Sequence, residues 1–412
     1  MKVWLAMTFV LSAWVQAARC QAFISKEQEI QMSMDIRNLV ANSFDEDGLR
    51  FLVPGIIRLC FHDCVIICDG CIDTRRKVQG GNNGLANTWL PLKKLYNKYE
   101  NICSRADFFA LACTVTSDYA AERGEQEGLC VPTPGVVPND CRTNMEILWG
   151  RRTCAVPQLV TPVRNIPNAN EDPYKWFGEN MDMTPREAVC LMGSHTLGKL
   201  RSNETGFSGD YTPQMDVLSN EFFTMMASGT SWKQHKKNVV IDEFPQTRVN
   251  SDMMLMYDLG KLRQHGEAEC LIEPLPKKKK EKHCKKQPHW AIVEEMAADN
   301  KAFIACFGAA MNKMMRNGYK EGELVPTGQI IPPPLPDTTP APGTAQPGPS
   351  PPVPPPRRPA RRPARRNRNK KSRRKQKSKG RKRNRLQLVG NPAPTPRPPA
   401  GPLSLLTNLL SI

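Results

Sequence analysis

Apolar residues return at intervals of three and four along eight stretches, around 25–43, 49–63, 85–99, 104–122, 184–197, 218–228, 250–262 and 291–316. That spacing predicts amphipathic helices, and strict apolar–polar alternation is scarce, so the body reads as mainly α with little β. Between the helices lie loops rich in Pro, Gly, Asn and Cys, notably 123–143 and 155–183. One helix start is well marked: Thr184 is placed to cap, Pro185 to open the first turn and Glu187 to complete a capping box.

The pattern changes at both ends. Met1-Lys2 precedes an apolar run from Val3 to Val15 and the small-residue exit Val15-Gln16-Ala17. This order predicts a cleavable secretory leader over 1–17, since a first core helix would carry polar spacing. From Pro326 to Pro402 lie 22 of the 37 prolines, a composition that cannot pack a core, so 332–412 is expected to be a disordered tail after one domain at 18–331. No apolar run reaches the roughly 20 residues of a membrane-spanning helix.

Composition matters mainly through where the charge sits. The formal net charge is +18, but residues 338–412 carry 19 Lys or Arg and no acid, leaving 18 − 19 = −1 for residues 1–337. A basic tail of this kind suits nucleic acid in a cytosolic chain, yet it lacks interleaved aromatics and the leader sends it elsewhere. Acidic extracellular polymers are the expected partner, with no nucleic acid. The dibasic sites equally suit proteases that would remove the tail. Fourteen cysteines in a secreted chain favour several disulfides, and the Cys68-Asp69-Gly70-Cys71 pair, a redox or zinc candidate in the cytosol, reads as a structural bridge outside the cell. Asn203-Glu204-Thr205 is a glycosylation sequon. Seven lysines between Lys277 and Lys286 make a solvated basic loop and poor company for a cation at His283, Cys284 and His289.

Two segments carry chemistry. In Ile57-Arg58-Leu59-Cys60-Phe61-His62-Asp63-Cys64, Arg58 and His62 stand one helical turn apart on one face. A neutral imidazole beside a fixed cation suits peroxide: the ring moves a proton from one oxygen to the other while the guanidinium stabilises the charge that develops. In Leu191-Met192-Gly193-Ser194-His195-Thr196-Leu197-Gly198-Lys199, a histidine ends an apolar helix between glycines that admit a flat cofactor. Asp252, in Val249-Asn250-Ser251-Asp252, offers a carboxylate for the other ring N–H of His195.

Together these motifs resemble the plant, fungal and bacterial haem peroxidase superfamily, with its distal R-L-x-F/W-H and proximal G-x-H-T/A-L/F-G-K patterns. The likeness spans about 25–331 and includes Asn82-Asn83-Gly84-Leu85, Ser104-Arg105-Ala106-Asp107, Trp149-Gly150-Arg151-Arg152, Ser219-Asn220-Glu221-Phe222-Phe223 and Ser251-Asp252-xx-Leu255-xx-Asp258. It implies a two-lobed helical fold with haem b between distal and proximal helices, in a secreted ligninase-like or invertebrate member. His195 would be the iron ligand with Asp252 its partner, His62 the proton shuttle with Asn82 its support, and Arg58 the charge stabiliser. Phe61 would lie over the haem edge, Tyr211 beneath the proximal ring and Pro167 at the reductant entrance. The substrates implied are hydrogen peroxide and a small reductant.

Secreted members also hold a distal Ca²⁺, which implies Asp63 and Asp69 as ligands here, but Cys71 stands where they have Ser. On the proximal side Thr196 is kept while Ser219 replaces an Asp. The resemblance further implies a Cys64–Cys68 disulfide, with Cys130, Cys141 and Cys154 pairing locally. The expected function is a secreted haem peroxidase acting by one-electron oxidations. The alternative is a peroxidase-derived matrix protein that binds polyanions, with catalysis weak or lost.

Overall fold

The computed structural model describes residues 23–332, apart from 66, 73–80, 154–165, 229–231, 237–238, 242–245, 263–265, 267, 269, 271 and 273–282. The expected leader at 1–17, the expected tail beyond 332, Cys154 and Lys277–Lys280 with Lys282 fall outside them. No described helix is long and apolar enough to cross a membrane.

The first group of helices surrounds a buried one. Helix α1, Lys26–Ala41, opens with a capping box between Ser25 and Gln28 and buries Met32, Ile36 and Val40 at steps of four. Helix α2, Leu52–Cys64, hides Leu52, Val53, Ile56, Ile57, Leu59 and Cys60, each aliphatic side chain contributing about 1.5–3 kcal/mol by leaving water. It packs against α3, Leu85–Tyr96, and against α4, Arg105–Gln126, which Ser104 caps and α1 also covers.

A second group begins with α5, Pro173–Met181, inside a stretch the sequence assigns to loop. Its start is local chemistry: the Asp172 carboxylate accepts the N–H groups of Tyr174 and Lys175, and Pro173 sets the first turn. Helix α6, Pro185–Met192, has the expected Thr184–Glu187 capping box but tightens into a 3-10 turn at Gly193–Thr196. Short α7, Ser202–Thr205, and α8, Glu221–Ala227, follow. The helix expected at 250–262 is only α9, Asn250–Met253; beyond it Tyr257–Asp258 pairs antiparallel with Lys285–Lys286. The long helix expected at 291–316 is two, α10, Trp290–Ala298, and α11, Asn300–Met315. Asp299 breaks it because its carboxylate accepts the N–H groups of Lys301 and Ala302 and so starts a new helix. Helix α8 packs on α10 and α6 on α11, and α11 also touches α2, joining the two groups.

The remaining structure is small β pairs, among them Leu148–Trp149 with Val325–Pro326 and a three-stranded sheet ordered Lys233–Lys236, Val239–Ile241, Thr247–Val249. Two motifs far apart in sequence lock together in the core: Asp107 accepts from the Gly150 and Arg151 backbone at 3.0 Å each and from the Arg151 guanidinium at 3.2 Å. Disulfides join Cys64–Cys68, Cys130–Cys141, Cys190–Cys306 and Cys270–Cys284. Cys68 thus pairs backward, not with Cys71, which is itself in a disulfide, and Cys284 is removed from any metal set. Cys60, Cys103 and Cys113 are buried and form no disulfide.

Candidate active site

On the distal side the C-terminal half of α2 presents His62, buried, and Arg58 one turn before it. A single loop fixes both. His62 Nδ1–H donates to Asn82 Oδ1 at 2.9 Å, so Nε2 keeps its lone pair. Arg58 donates to the carbonyls of the flanking residues, Gly81 at 2.7 Å and Asn83 at 2.8 Å, and meets Glu204 at 3.2 Å. Burial and the neighbouring guanidinium hold the imidazole down at about 3, from its ordinary 6.5, with the Asn82 bond opposing them. His62 is therefore neutral at neutral pH. Phe61 packs its ring 5.9 Å from His62, 6.1 Å from Trp176 and 5.9 Å from Phe177.

On the proximal side α6 delivers His195 through the 3-10 turn. Gly193 is required there by space, because a Cβ would collide with the rings of Phe303 and Phe223. His195 Nδ1 bonds Asp252 Oδ1 at 2.7 Å, and the other oxygen of that fully buried carboxylate accepts the Val249 N–H at 2.8 Å. Asp252 thus caps α9 and orients the histidine at once. Tyr211 stacks beneath the ring at 4.6 Å and 11°, and Phe222 stands edge-on at 5.9 Å. The Tyr211 hydroxyl is pushed far above its usual range, chiefly by burial, so it stays protonated. With Nδ1 engaged, Nε2 is the donor atom left to His195, whose side chain is 33% exposed although Gly193 and Thr196 around it are buried.

A ring nitrogen with its opposite N–H tied to a carboxylate is the donor a haem iron takes, and the residues present fit that group. Part of the oxygen set that calcium would use is engaged within the protein. A hard cation wants six to eight oxygens. Asp63 Oδ2 already accepts the Gly70 N–H at 2.9 Å, Asp69 Oδ1 accepts the Cys71 N–H at 2.9 Å, and Cys71 offers sulfur. On the proximal side the Thr196 carbonyl accepts the Thr212 hydroxyl at 2.7 Å, and Ser219 Oγ accepts the Glu221 N–H at 3.4 Å. Among the described residues no group of three or more His, Cys, Asp or Glu is placed to hold a metal ion.

Three charged residues at the site were not read from the sequence as functional. Glu204, seen only as the middle of a sequon, reaches Arg58 across 146 positions. Arg248 is fully buried, donates to the carbonyls of Tyr211 and Phe222, and lies 4.5 Å from the Phe222 ring and 5.2 Å from that of Trp232. Arg105 sits beside the Asp63–Cys71 loop. No local periodicity marks any of them. Pro167 is half-buried.

The sequence compares directly with known proteins. It is 29% identical over 165 residues to a mitochondrial cytochrome c peroxidase of Pyricularia oryzae, covering 40% of this chain and 39% of that one. It is 24% identical over 176 residues to that of Candida glabrata, 42% of each chain, and 24% identical over 241 residues to that of Yarrowia lipolytica, 58% of this chain and 57% of the relative. The chain spans about two-fifths of the length of the first two of these relatives. The peroxidase family model matches residues 36–259, which include Arg58, His62, Asn82, His195 and Asp252. Since that match takes in more than half of the residues, the chain belongs to the peroxidase family.

Proposed function

We propose that this protein is a haem-dependent peroxidase that consumes hydrogen peroxide and oxidises a small reductant in one-electron steps. The observation that carries the reading is the pair of histidines held through Nδ1 by different oxygens, an amide for His62 and a carboxylate for His195. Haem b, when bound, supplies the redox chemistry, and His195 Nε2 would hold its iron. His62 Nε2 accepts the proton of incoming peroxide and returns it to the departing oxygen, so that water leaves. Its low affinity for protons keeps it ready to accept at neutral pH. Arg58 balances the negative charge that develops on the oxygens. Asp252 orients the His195 ring and fixes which nitrogen is left to bind the iron. Tyr211 packs under the ligand ring and shields its bond to Asp252.

The reading extends to location. A leader at 1–17, four disulfides among the described residues and an exposed Asn203 in a sequon suit the secretory route. The basic tail would hold the enzyme to acidic extracellular polymers.

Steady-state turnover tests the activity. The full chain with haem is expected to oxidise a simple phenol with hydrogen peroxide far faster than free haemin does, and equal rates overturn the reading. For location, expression in a secretory cell should deliver glycosylated protein to the medium with Ala18 at its N-terminus. Retention inside the cell with Met1 intact contradicts it.

A further inference from the structure

The charge that the proposed reaction uses on the distal side is that of Arg58, and its seat is built from two parts of the chain. Arg58 Nη2 donates to the carbonyls of Gly81 and Asn83, and Nη1 donates to Glu204 Oε2 at 3.2 Å. The carbonyls are neutral, so Glu204 is the only carboxylate paired with this guanidinium among the described residues. Glu204 lies on α7, a single turn of four residues, too short to hold itself. The distal loop holds it: Asn83 Nδ2 donates to the Asn203 carbonyl at 2.7 Å and to the Glu204 carbonyl at 3.3 Å. Gly84, at φ +86° just before α3, leaves the space that the Glu204 carboxyl group fills, since a Cβ there would come within 2.3 Å of its Cδ. The three residues that seat Arg58 and orient His62, Gly81-Asn82-Asn83, are thus the ones against which the segment following His195 is docked.

Two acceptors on one nitrogen leave a planar guanidinium free to pivot about that nitrogen, and a third acceptor on the neighbouring nitrogen stops the pivot. We propose that Glu204 is a positioning residue for Arg58: it is the third fixed point of the guanidinium, supplied from the segment that follows the proximal histidine. The ion pair offsets part of the cation's charge. A charge held in place still stabilises developing negative charge better than a mobile one, because nothing has to reorganise as the reaction proceeds. The inference rests on the peroxidase reading, which gives Arg58 its role.

Fluoride titration of the full chain loaded with haem tests it, followed by absorption, beside the rate of reaction with peroxide. Fluoride binds ferric haem as an anion and draws on the distal cation without turnover. Glu204→Ala should bind fluoride about 10-fold more weakly and react with peroxide about 10-fold more slowly. Glu204→Gln keeps the reach and an acceptor oxygen and should stay close to the wild type, whereas Glu204→Asp keeps the charge, falls short, and should follow the alanine variant. All three leave the Asn203 sequon intact. With Arg58→Leu already in place, Glu204→Ala should change neither quantity further. Without haem, Arg58→Leu and Glu204→Ala should each lower the melting temperature of the full chain by about 2 °C, and together by no more than the larger single loss. The proposal is overturned by a Glu204→Ala variant that matches the wild type or binds fluoride more tightly, by a further loss in the Arg58→Leu background, or by additive melting losses. Should Glu204→Ala not fold, the other two variants decide, since a loss in Glu204→Gln with Glu204→Asp unaffected would mean that charge matters and the seat does not. A wild type inert to both fluoride and peroxide overturns the peroxidase reading and this proposal with it; a responsive wild type whose Glu204 variants all behave alike overturns this proposal alone.

Discussion

The distal and proximal halves solve one problem in two ways. Each must fix an imidazole ring, and each does so through Nδ1 with a side-chain oxygen at nearly the same distance, 2.9 Å from Asn82 and 2.7 Å from Asp252. The distal oxygen belongs to a neutral amide, and the ring is buried and sits next to the Arg58 cation, so it is a weak base. The proximal oxygen belongs to a buried carboxylate, and a partner of that kind makes a ring more electron-rich. On the proposed reading, the same side chain serves as proton carrier or metal ligand according to its surroundings.

The largest effect should come from removing the proton carrier. His62→Leu leaves α2 apolar and packed but should slow the reaction with peroxide by about 100- to 10,000-fold, read by stopped-flow absorption; a rate within a few-fold of wild type would dissolve the distal half of the comparison. Neutralising the proximal partner comes next. Asp252→Asn keeps the shape and a hydrogen bond, and should weaken haem retention or turnover by about 10- to 100-fold, whereas Asn82→Ala should slow peroxide reaction without loosening haem. If the two variants had the same phenotype, the partners would not be doing different jobs.

The pH response sharpens the same contrast. Between 6.5 and about 3 the unfolded chain binds a proton at His62 that the fold refuses. Unfolding therefore takes up a proton in that window, so the His62 contribution is full above pH about 6.5 and is lost as pH falls toward 3. The melting temperature of the wild type should fall relative to that of His62→Leu as the buffer is acidified through this range. The smallest effect concerns delivery of the proximal ligand: Thr184→Ala removes the cap of α6 and should cost about 1 kcal/mol in denaturant unfolding with peroxide chemistry unchanged.

The residues that touch were legible in part, and the reason differs from case to case. His62 with Asn82 and His195 with Asp252 follow from short motifs, because each role needs one residue type at one spacing. The capping box at Thr184 follows from its local residues, and the cores of α1, α2 and α4 follow from periodicity. The break at Asp299 and the helix at Pro173 hinge on single carboxylates competing for backbone N–H groups, a signal that apolar spacing does not carry. The ties from Glu204 to Arg58 and from Asp107 to Arg151 join segments 146 and 44 positions apart. Only the closed fold brings them together.

The most direct test is haem titration of the full chain against His195→Ala, followed by the Soret band with and without added imidazole. The account predicts one haem per wild-type chain, loss of the ligated spectrum in the variant, and its return when free imidazole takes the vacated place. A variant that binds haem and turns over peroxide as the wild type does, with no response to imidazole, would contradict it.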